Sequence, residues 1–79
     1  MRELTGRQKE ILFFIEKFLH DNGYSPTVRE IGDHFQMSPR GAHDHVIALI
    51  KKERIKSQNG KPRTLTIIKR EEGTNDILR

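Results

Sequence analysis

Residues 25–53 read SPTVREIGDHFQMSPRGAHDHVIALIKKE, and this stretch contains two helix starts in close succession. Thr27 and Glu30 have the T-x-x-E spacing of a capping box, in which each side chain bonds the backbone N–H of the other residue. Ser38 places a capping hydroxyl directly before Pro39, whose φ already suits the first position of a helix. Two short helices joined by a tight turn predict a helix-turn-helix, a motif whose second helix enters the DNA major groove.

The apolar pattern predicts where these two helices run and which of their sides face the core. We expect one helix over about residues 28–35 and the next over about residues 39–52. The side chains predicted to face inward are Val28, Ile31, Phe35, Ala42, His45, Val46, Leu49 and Ile50. The opposite face of the later helix carries Arg40, Asp44, Ile47 and Lys51. That face is therefore predicted to be open to solvent or to a partner.

A longer helix is predicted before the motif, because Thr5 and Gln8 form another capping box of the T-x-x-Q kind. It should stop at Gly23, a residue suited to the left-handed conformation that ends many helices. Its apolar side consists of Ile11, Phe14, Ile15, Phe18 and Leu19, with Leu12 at the margin. Phe13 points the other way, and we expect the C-terminal tail to cover it in part, the alternative being an exposed contact for a partner. The segment 24–26 is expected to be extended before its proline and could pair as a short edge strand.

A β-hairpin is predicted after the helices, since Asn59-Gly60 separates two β-type runs at about residues 54–58 and 63–68. The side chains expected to face the helices are Ile55, Leu65 and Ile67. The predicted fold class is therefore mostly α with a small β-hairpin, a three-helix winged helix-turn-helix. We expect residues 1–69 to form this domain and residues 70–79 to form a flexible tail or the start of a linker, because the tail lacks apolar periodicity.

Length and composition narrow the class of protein. The 79 residues allow one domain with a small core, and the absence of cysteine excludes disulfides and thiolate metal sites. His43 and His45 face different sides of a helix, and the other two histidines lack a ligand partner, so we expect no metal and no cofactor. No nucleophile, phosphate-loop or paired-carboxylate motif is present, which favours a protein that is not an enzyme. No apolar run suggests export or a membrane span, so we expect a cytoplasmic protein without a membrane partner.

Basic residues are concentrated near the end of the third helix and along the hairpin. The net charge of the chain is +4, yet residues 51–63 alone hold six basic side chains and one acid, a formal charge of +5. Such a patch suits a polyanion, and the alternative interpretation is a solvated face that keeps the protein soluble. Because the patch follows a helix-turn-helix, the combination favours nucleic acid.

Direct reading of DNA bases requires side chains near the start of the third helix. The candidates are Ser38, Arg40, Gly41, His43 and Asp44. Arg40 can donate two hydrogen bonds to guanine, and Asp44 can accept one from cytosine N4. The Ser38 hydroxyl can cap the helix, contact DNA or do both, with capping alone favoured, and His43 has the alternative of being an ordinary exposed residue. Gly41 either lets a backbone or a phosphate come close or is a tolerated defect in the helix.

Contacts to DNA phosphates, which position a protein without reading sequence, require donors on the surfaces beside that helix. The candidates are Arg29, Lys51, Lys56, Gln58, Asn59, Lys61 and Arg63. Arg29 lies at the start of the second helix, whose N-terminal N–H groups are further candidates. The hairpin tip from Gln58 to Lys61 is the expected wing.

Five short motifs recur in one known family with the same spacing. They are L-T-x-R-Q at 4–8, N-G-Y-x-P-T-x-R-E-I at 22–31, S-P-R-G-A at 38–42, A-L-x-K-K at 48–52 and N-G-K-P-R at 59–63. Over about residues 1–70 the chain resembles the N-terminal DNA-binding domain of the LexA family. The resemblance implies a winged helix-turn-helix that represses transcription in the bacterial SOS response. It also implies that the five base-reading candidates contact an operator half-site and that the hairpin tip touches the DNA backbone.

Two features differ from that family. Its members usually have glycine where this chain has Glu53, so the end of the third helix is expected to differ. They also continue into a self-cleaving domain, with a serine–lysine pair, that holds much of the dimer contact. This chain has no such segment and is not expected to cleave itself. It is predicted to be either a separated domain of a longer repressor or a stand-alone relative, such as one from a phage or mobile element.

The predicted partner is double-stranded DNA with an inverted-repeat operator, bound by two copies because a single half-site reader binds modestly. A winged-helix module for protein interaction is the alternative function. Its contacts would come from Phe13, Ile47, Ile77 and Leu78. RNA binding is less favoured, because Tyr24 is the only tyrosine and the chain has no tryptophan on which bases could stack.

Overall fold

Three helices and a two-stranded antiparallel sheet follow one another in the described part of the chain. The computed structural model describes residues 4–58 and 61–68. Its elements are α1 (Gly6–Asn22), α2 (Val28–Phe35), α3 (Pro39–Lys51), β1 (Ile55–Lys56) and β2 (Thr66–Ile67). This order confirms the predicted winged helix-turn-helix, mostly α with a small hairpin. The helix positions agree with the prediction to within one residue.

Side-chain caps begin all three helices where the sequence predicted them. The Thr5 Oγ1 accepts from the Gln8 N–H at 3.2 Å, and the Gln8 Oε1 accepts from the Thr5 N–H at 3.2 Å. The second capping box, between Thr27 and Glu30, has distances of 3.1 and 2.9 Å. The Ser38 Oγ accepts from the N–H at position 41 at 3.1 Å, so its predicted capping role is confirmed. These contacts explain why helix starts were readable from short motifs, since each contact joins residues three positions apart.

The core lies where the three helices meet the hairpin. Its buried apolar residues are Ile11, Ile15, Ile31, Ala42, Val46, Leu49, Ile55 and Leu65. The aromatic residues of α1 and α2 pack at the edge of this core and remain partly exposed. Phe13 is 65% exposed. The tail that was expected to cover it lies outside the described residues, as does the predicted domain boundary at residue 69.

Gly32 allows α2 and the turn that follows it to lie close together. A Cβ built on Gly32 would lie 2.9 Å from the Met37 carbonyl oxygen and 3.6 Å from the Ala42 Cβ. The turn itself depends on Gln36, which has a left-handed φ of 57° and ends α2. Close packing at this crossing fixes the direction of α3 relative to α2.

The end of α3 contains a left-handed residue that is not glycine. Glu53 has φ of 61°, its N–H donates to the Ile50 carbonyl at 2.9 Å, and the Arg54 N–H donates to the Leu49 carbonyl at 3.0 Å. This pair of hydrogen bonds is the Schellman arrangement, which usually has glycine at the left-handed position. The expected difference at this helix end is therefore one of residue type, whereas the geometry is the one that glycine favours.

The strands of the hairpin are shorter than predicted. In the part of the hairpin that the structure describes, Ile55 pairs with Ile67 and Lys56 with Thr66, and the Ile68 N–H donates to the Arg54 carbonyl at 2.9 Å. The predicted runs over 54–58 and 63–68 do not continue as a ladder, because Pro62 has no N–H to donate and Arg63 has a left-handed φ of 57°. The Asn59-Gly60 turn lies outside the described residues.

Side chains replace the missing ladder near the wing and beside it. The Thr64 Oγ1 accepts from the Gln58 N–H at 3.0 Å and donates to the Lys61 carbonyl at 2.9 Å. The Ser25 Oγ accepts from the Leu65 N–H at 3.1 Å. Residues 24–26, which could have paired as a short edge strand, do not form one, because a side chain and not a backbone ladder joins this segment to the hairpin.

Within residues 4–58 and 61–68, no helix combines the length and the apolar character that crossing a bilayer would require.

Candidate nucleic-acid interface

The first turns of α3 face solvent. Ser38, Arg40, His43 and Asp44 are exposed and Gly41 is partly exposed. Within the described ranges, the side chains of Arg40, His43 and Asp44 make no hydrogen bond or ion pair with another residue. Arg40 and Asp44 lie one helical turn apart without pairing. Their donors and acceptors are therefore open to an external partner.

Gly41 is not required by the packing of this domain. A Cβ built there would lie 3.4 Å from the Ser38 Oγ and 4.0 Å from Met37 side-chain atoms. These are close to ordinary van der Waals distances, so alanine would fit. Gly41 thus differs from Gly32, whose missing side chain is needed inside the fold.

A groove of about 520 Å³ lies between the start of α2, the middle of α3 and the wing. We call it the wing groove. The predicted DNA contacts that line it are Arg29, His43, Gln58, Lys61 and Arg63. Apolar side chains, among them Val46 and Ile50, form part of its lining. Residues from three separate parts of the chain therefore share one concave surface beside the leading turns of α3.

Two further phosphate candidates, Lys51 and Lys56, are exposed but do not line the wing groove. Lys51 is the last residue of α3, and Lys56 lies on β1 opposite Thr66. Asn59 lies outside the described residues. The predicted phosphate contacts are thus divided between the wing groove, the end of α3 and β1.

Arg63 has internal partners. Its Nη1 and Nη2 donate to the two carboxylate oxygens of Glu30 at 3.0 and 2.8 Å, and Nη1 also donates to the Ser25 carbonyl at 3.2 Å. The guanidinium carbon lies 4.9 Å from the centre of the Tyr24 ring. We call this set of contacts the Arg63 clamp. It weighs against the predicted phosphate role of Arg63, since its fork already binds a carboxylate.

The clamp changes the ionisation of its acid. Hydrogen bonds from the Arg63 guanidinium hold the pKa of the Glu30 carboxyl below its ordinary value, and the capping hydrogen bond from Thr27 acts in the same direction. Glu30 therefore acts both as a helix cap and as an ion-pair partner. Only the cap could be predicted from the sequence, because that contact is local.

A second basic residue of the 51–63 segment is also turned toward the fold. The Lys52 Nζ donates to the Gln8 Oε1 at 2.7 Å, and Gln8 is buried. This contact joins the end of α3 to the start of α1. The positive charge available for a partner is therefore smaller than the sequence count suggests.

The alternative interaction surface is only partly formed by the residues predicted for it. Phe13 borders an apolar depression of about 350 Å³ that Phe14, Phe18 and Phe35 also line. Ile47 instead lies in the wing groove, and the tail residues Ile77 and Leu78 lie outside the described residues. The predicted set therefore does not form one patch in the described part of the chain.

Comparisons with known proteins point to one family. Residues 1–64 match the model of the LexA DNA binding domain family. The chain is 55% identical over 69 residues to the LexA repressor of Thermotoga maritima. This alignment covers 87% of this chain and 35% of that protein. It is 49% identical over 72 residues to the LexA repressor of Thermosipho africanus, and this alignment covers 91% of this chain and 36% of that protein. It is 38% identical over 69 residues to the LexA repressor of Leptospira interrogans, and this alignment covers 87% of this chain and 34% of that protein. The chain thus spans about a third of the length of these relatives.

Proposed function

Because the chain belongs to the LexA DNA-binding domain family, we propose that it binds double-stranded DNA sequence-specifically and acts in transcriptional repression. The observation that carries the proposal is the open first part of α3, where Arg40 and Asp44 have no partner among the described residues. A helix placed in a major groove reads bases with such side chains. In this proposal Ser38, Gly41 and His43 lie against the same base pairs.

The phosphate contacts that we propose lie around the wing groove. Arg29 and Lys61 supply charge from opposite sides of the groove, and Gln58 supplies a polar side chain. The first N–H groups of α2 add donors, since the early N–H groups of a helix have no intrahelical acceptor. Lys51, Lys56 and Asn59 extend the contact along the DNA backbone. Arg63 is omitted from this set because of the clamp.

The proposed unit is residues 1–69, with residues 70–79 as a tail or linker. Since the chain spans about a third of the length of these relatives, the proposal for this chain concerns DNA recognition. Two copies on an inverted repeat would supply the affinity that one half-site reader lacks, because a two-fold dimer matches a palindromic operator. Repression in an SOS-type response then follows from occupancy of that operator. The family match favours this function over a protein-interaction module.

The experiment that tests the proposal is selection of bound sequences from a random duplex pool, followed by gel shifts at two salt concentrations. We expect one enriched motif, repeated as an inverted pair. We also expect a log–log salt slope of roughly −3 to −4 per bound copy, because each phosphate neutralised contributes about −0.9. Failure to enrich any sequence, or a gel shift that salt does not weaken, would overturn the proposal.

A further inference from the structure

We propose that the Arg63–Glu30 pair is a positioning element for DNA binding, which holds the second half of the wing at a set distance from the start of α2. The inference rests on the function proposed above. It concerns two residues that do not themselves need to touch DNA. Their role is to hold the two sides of the wing groove at a fixed distance from each other.

The geometry of the pair suits such a role. A planar guanidinium that donates two parallel hydrogen bonds to one carboxylate fixes orientation as well as distance. Here those distances are 3.0 and 2.8 Å, and the same guanidinium also donates to the Ser25 carbonyl. One side chain thus joins the wing to two points at the start of the helix-turn-helix.

The wing needs an attachment of this kind because its own ladder is short. Its two strands pair over two residues each, and a small isolated hairpin is marginal in water. Arg63 also has a φ of 57°, a conformation that persists only when surrounding contacts hold it. The buried Ile55 and Leu65 anchor the base of the wing. Between Leu65 and the tip, the described contact that ties the wing to α2 is the clamp.

The clamp adjoins the proposed phosphate contacts on both sides. Arg29 precedes Glu30 in α2, and Lys61 lies two residues before Arg63. Arg29, Lys61 and Arg63 all line the wing groove. If the pair is broken, Lys61 is released from its set position opposite Arg29. Binding should weaken because part of the ordering of the wing must then occur on DNA.

This role predicts the opposite of simple electrostatics for Glu30. Removing an acid beside a surface that binds a polyanion should strengthen binding if the acid acts only through its charge. A positioning role predicts weaker binding from the same substitution. The sign of the change therefore separates the two explanations.

The test compares Glu30→Gln, Arg63→Gln and the double variant with the unaltered chain. Glutamine at position 30 keeps the side-chain type that a capping box accepts. Glu10→Gln is the matched control, since it removes the same charge and also breaks an arginine pair, the one with Arg7 at 3.2 Å. Fluorescence anisotropy would give Kd for the selected operator duplex and for a random duplex at several salt concentrations. Circular dichroism would establish that each variant is folded at the assay temperature.

We expect each single variant to weaken operator binding about fivefold or more, a coupling of the size seen between contacting residues. The double variant should bind the operator with at least the affinity of the single variant that binds less tightly, because either change already breaks the clamp. The salt slope should flatten by about one unit in Glu30→Gln, as Lys61 loses its phosphate. Glu10→Gln should bind as tightly as the unaltered chain or slightly tighter.

Several outcomes would overturn the inference. A folded Glu30→Gln that binds DNA as tightly as the unaltered chain removes the positioning role. A loss in Arg63→Gln without a loss in Glu30→Gln shows that Arg63 contacts DNA directly. If the glutamine variants unfold, Arg63→Lys replaces them, since lysine keeps the charge but lacks the planar fork. An unchanged Kd and an unchanged salt slope in Arg63→Lys would contradict the positioning role. Failure of the unaltered chain to bind either duplex would instead overturn the proposed function.

Discussion

Arg40 and Arg63 are the same kind of side chain, and the fold gives them different surroundings. Arg40 lies exposed on the first turn of α3 with no partner in the described part of the chain. Arg63 donates to Glu30 and Ser25. A guanidinium has five donors in a fixed plane, so its contribution to DNA binding depends on whether the fold already uses them. Arg40 is therefore the stronger candidate for reading a base.

Replacing Arg40 with alanine should reduce the preference for operator over random duplex. A bidentate contact to guanine contributes about 1–3 kcal/mol of discrimination, and that amount should be lost. Competition binding with the two duplexes measures the ratio of their Kd values.

The comparison variant is Lys61→Ala, at a proposed phosphate contact. It should weaken both duplexes about equally and reduce the salt slope by about one unit. If Arg40→Ala left the operator-to-random ratio unchanged, the assignment of base reading to Arg40 would be incorrect.

Among the elements, α3 is preceded by a close approach at Gly32 of α2 and followed by a left-handed residue, Glu53. Gly32 lets α2 approach the turn before α3, with its Cβ position 2.9 Å from the Met37 carbonyl oxygen. Glu53 occupies a left-handed position after α3 with φ of 61°. Glycine, the residue that both geometries favour, is present at position 32 but not at position 53. Both can be tested through stability.

Gly32→Ala should lower the free energy of unfolding by about 1–3 kcal/mol, because the added methyl group has to displace backbone. Gly41→Ala is the matched control, since the same change meets only ordinary contacts there. It should leave stability unchanged or slightly raised. Urea denaturation of both variants decides the matter, and equal losses would show that the space around Gly32 is not limiting.

Glu53→Gly should stabilise the domain relative to Glu53→Ala by about 0.5–1 kcal/mol. Both substitutions remove the carboxylate and its contacts, but only glycine enters the left-handed region without a steric penalty. Chemical denaturation of the two variants gives the difference. Equal stabilities would mean that the Schellman geometry is not under strain at this position.

At the scale of the whole molecule, ion pairs and hydrogen bonds join segments that are far apart in sequence. The Arg63 clamp ties the wing to α2, and the Lys52–Gln8 contact ties the end of α3 to α1. These contacts remove two cations from the basic segment and use them to hold the fold. Of the other cations in this segment, Lys61 lines the wing groove, whereas Lys51 and Lys56 are exposed outside it. The fold therefore determines which basic side chains of this segment have internal partners.

Acid should weaken the contribution of the clamp to stability. The folded pKa of Glu30 is held below its ordinary value of 4.5 by Arg63, so the unfolded chain binds the proton more readily. The stabilisation is therefore present above 4.5 and is lost as pH falls through the lowered folded value. The difference in unfolding free energy between the unaltered chain and Glu30→Gln should shrink over that range.

Urea denaturation of both proteins across this pH range measures that difference. Asp21 has a lowered pKa as well, from hydrogen bonds with His20 and Lys17, but it is present in both proteins and cancels. A difference that stayed constant with pH would show that the ionised form of Glu30 is not what the clamp stabilises.

The amino-acid sequence alone determined the helices, their caps and the exposed leading turns of α3. Each of these depends on residues three or four positions apart, so that a local motif such as Thr27 with Glu30 contains the whole interaction. The expected difference at Glu53 came instead from the family resemblance, whose members usually have glycine at that position. Local reasoning overestimated the strands and left an edge strand at 24–26 possible, because pairing between strands is not a local property.

Long-range packing determines which cations the fold uses internally and which ones line the wing groove. Arg63 and Glu30 are 33 residues apart, and Lys52 and Gln8 are 44 apart, so no spacing rule joins them. The wing groove likewise brings together residues from α2, α3 and the hairpin. The physical reason is that the direction of a long side chain is set by the acceptors that packing places within its reach, and those acceptors come from other elements.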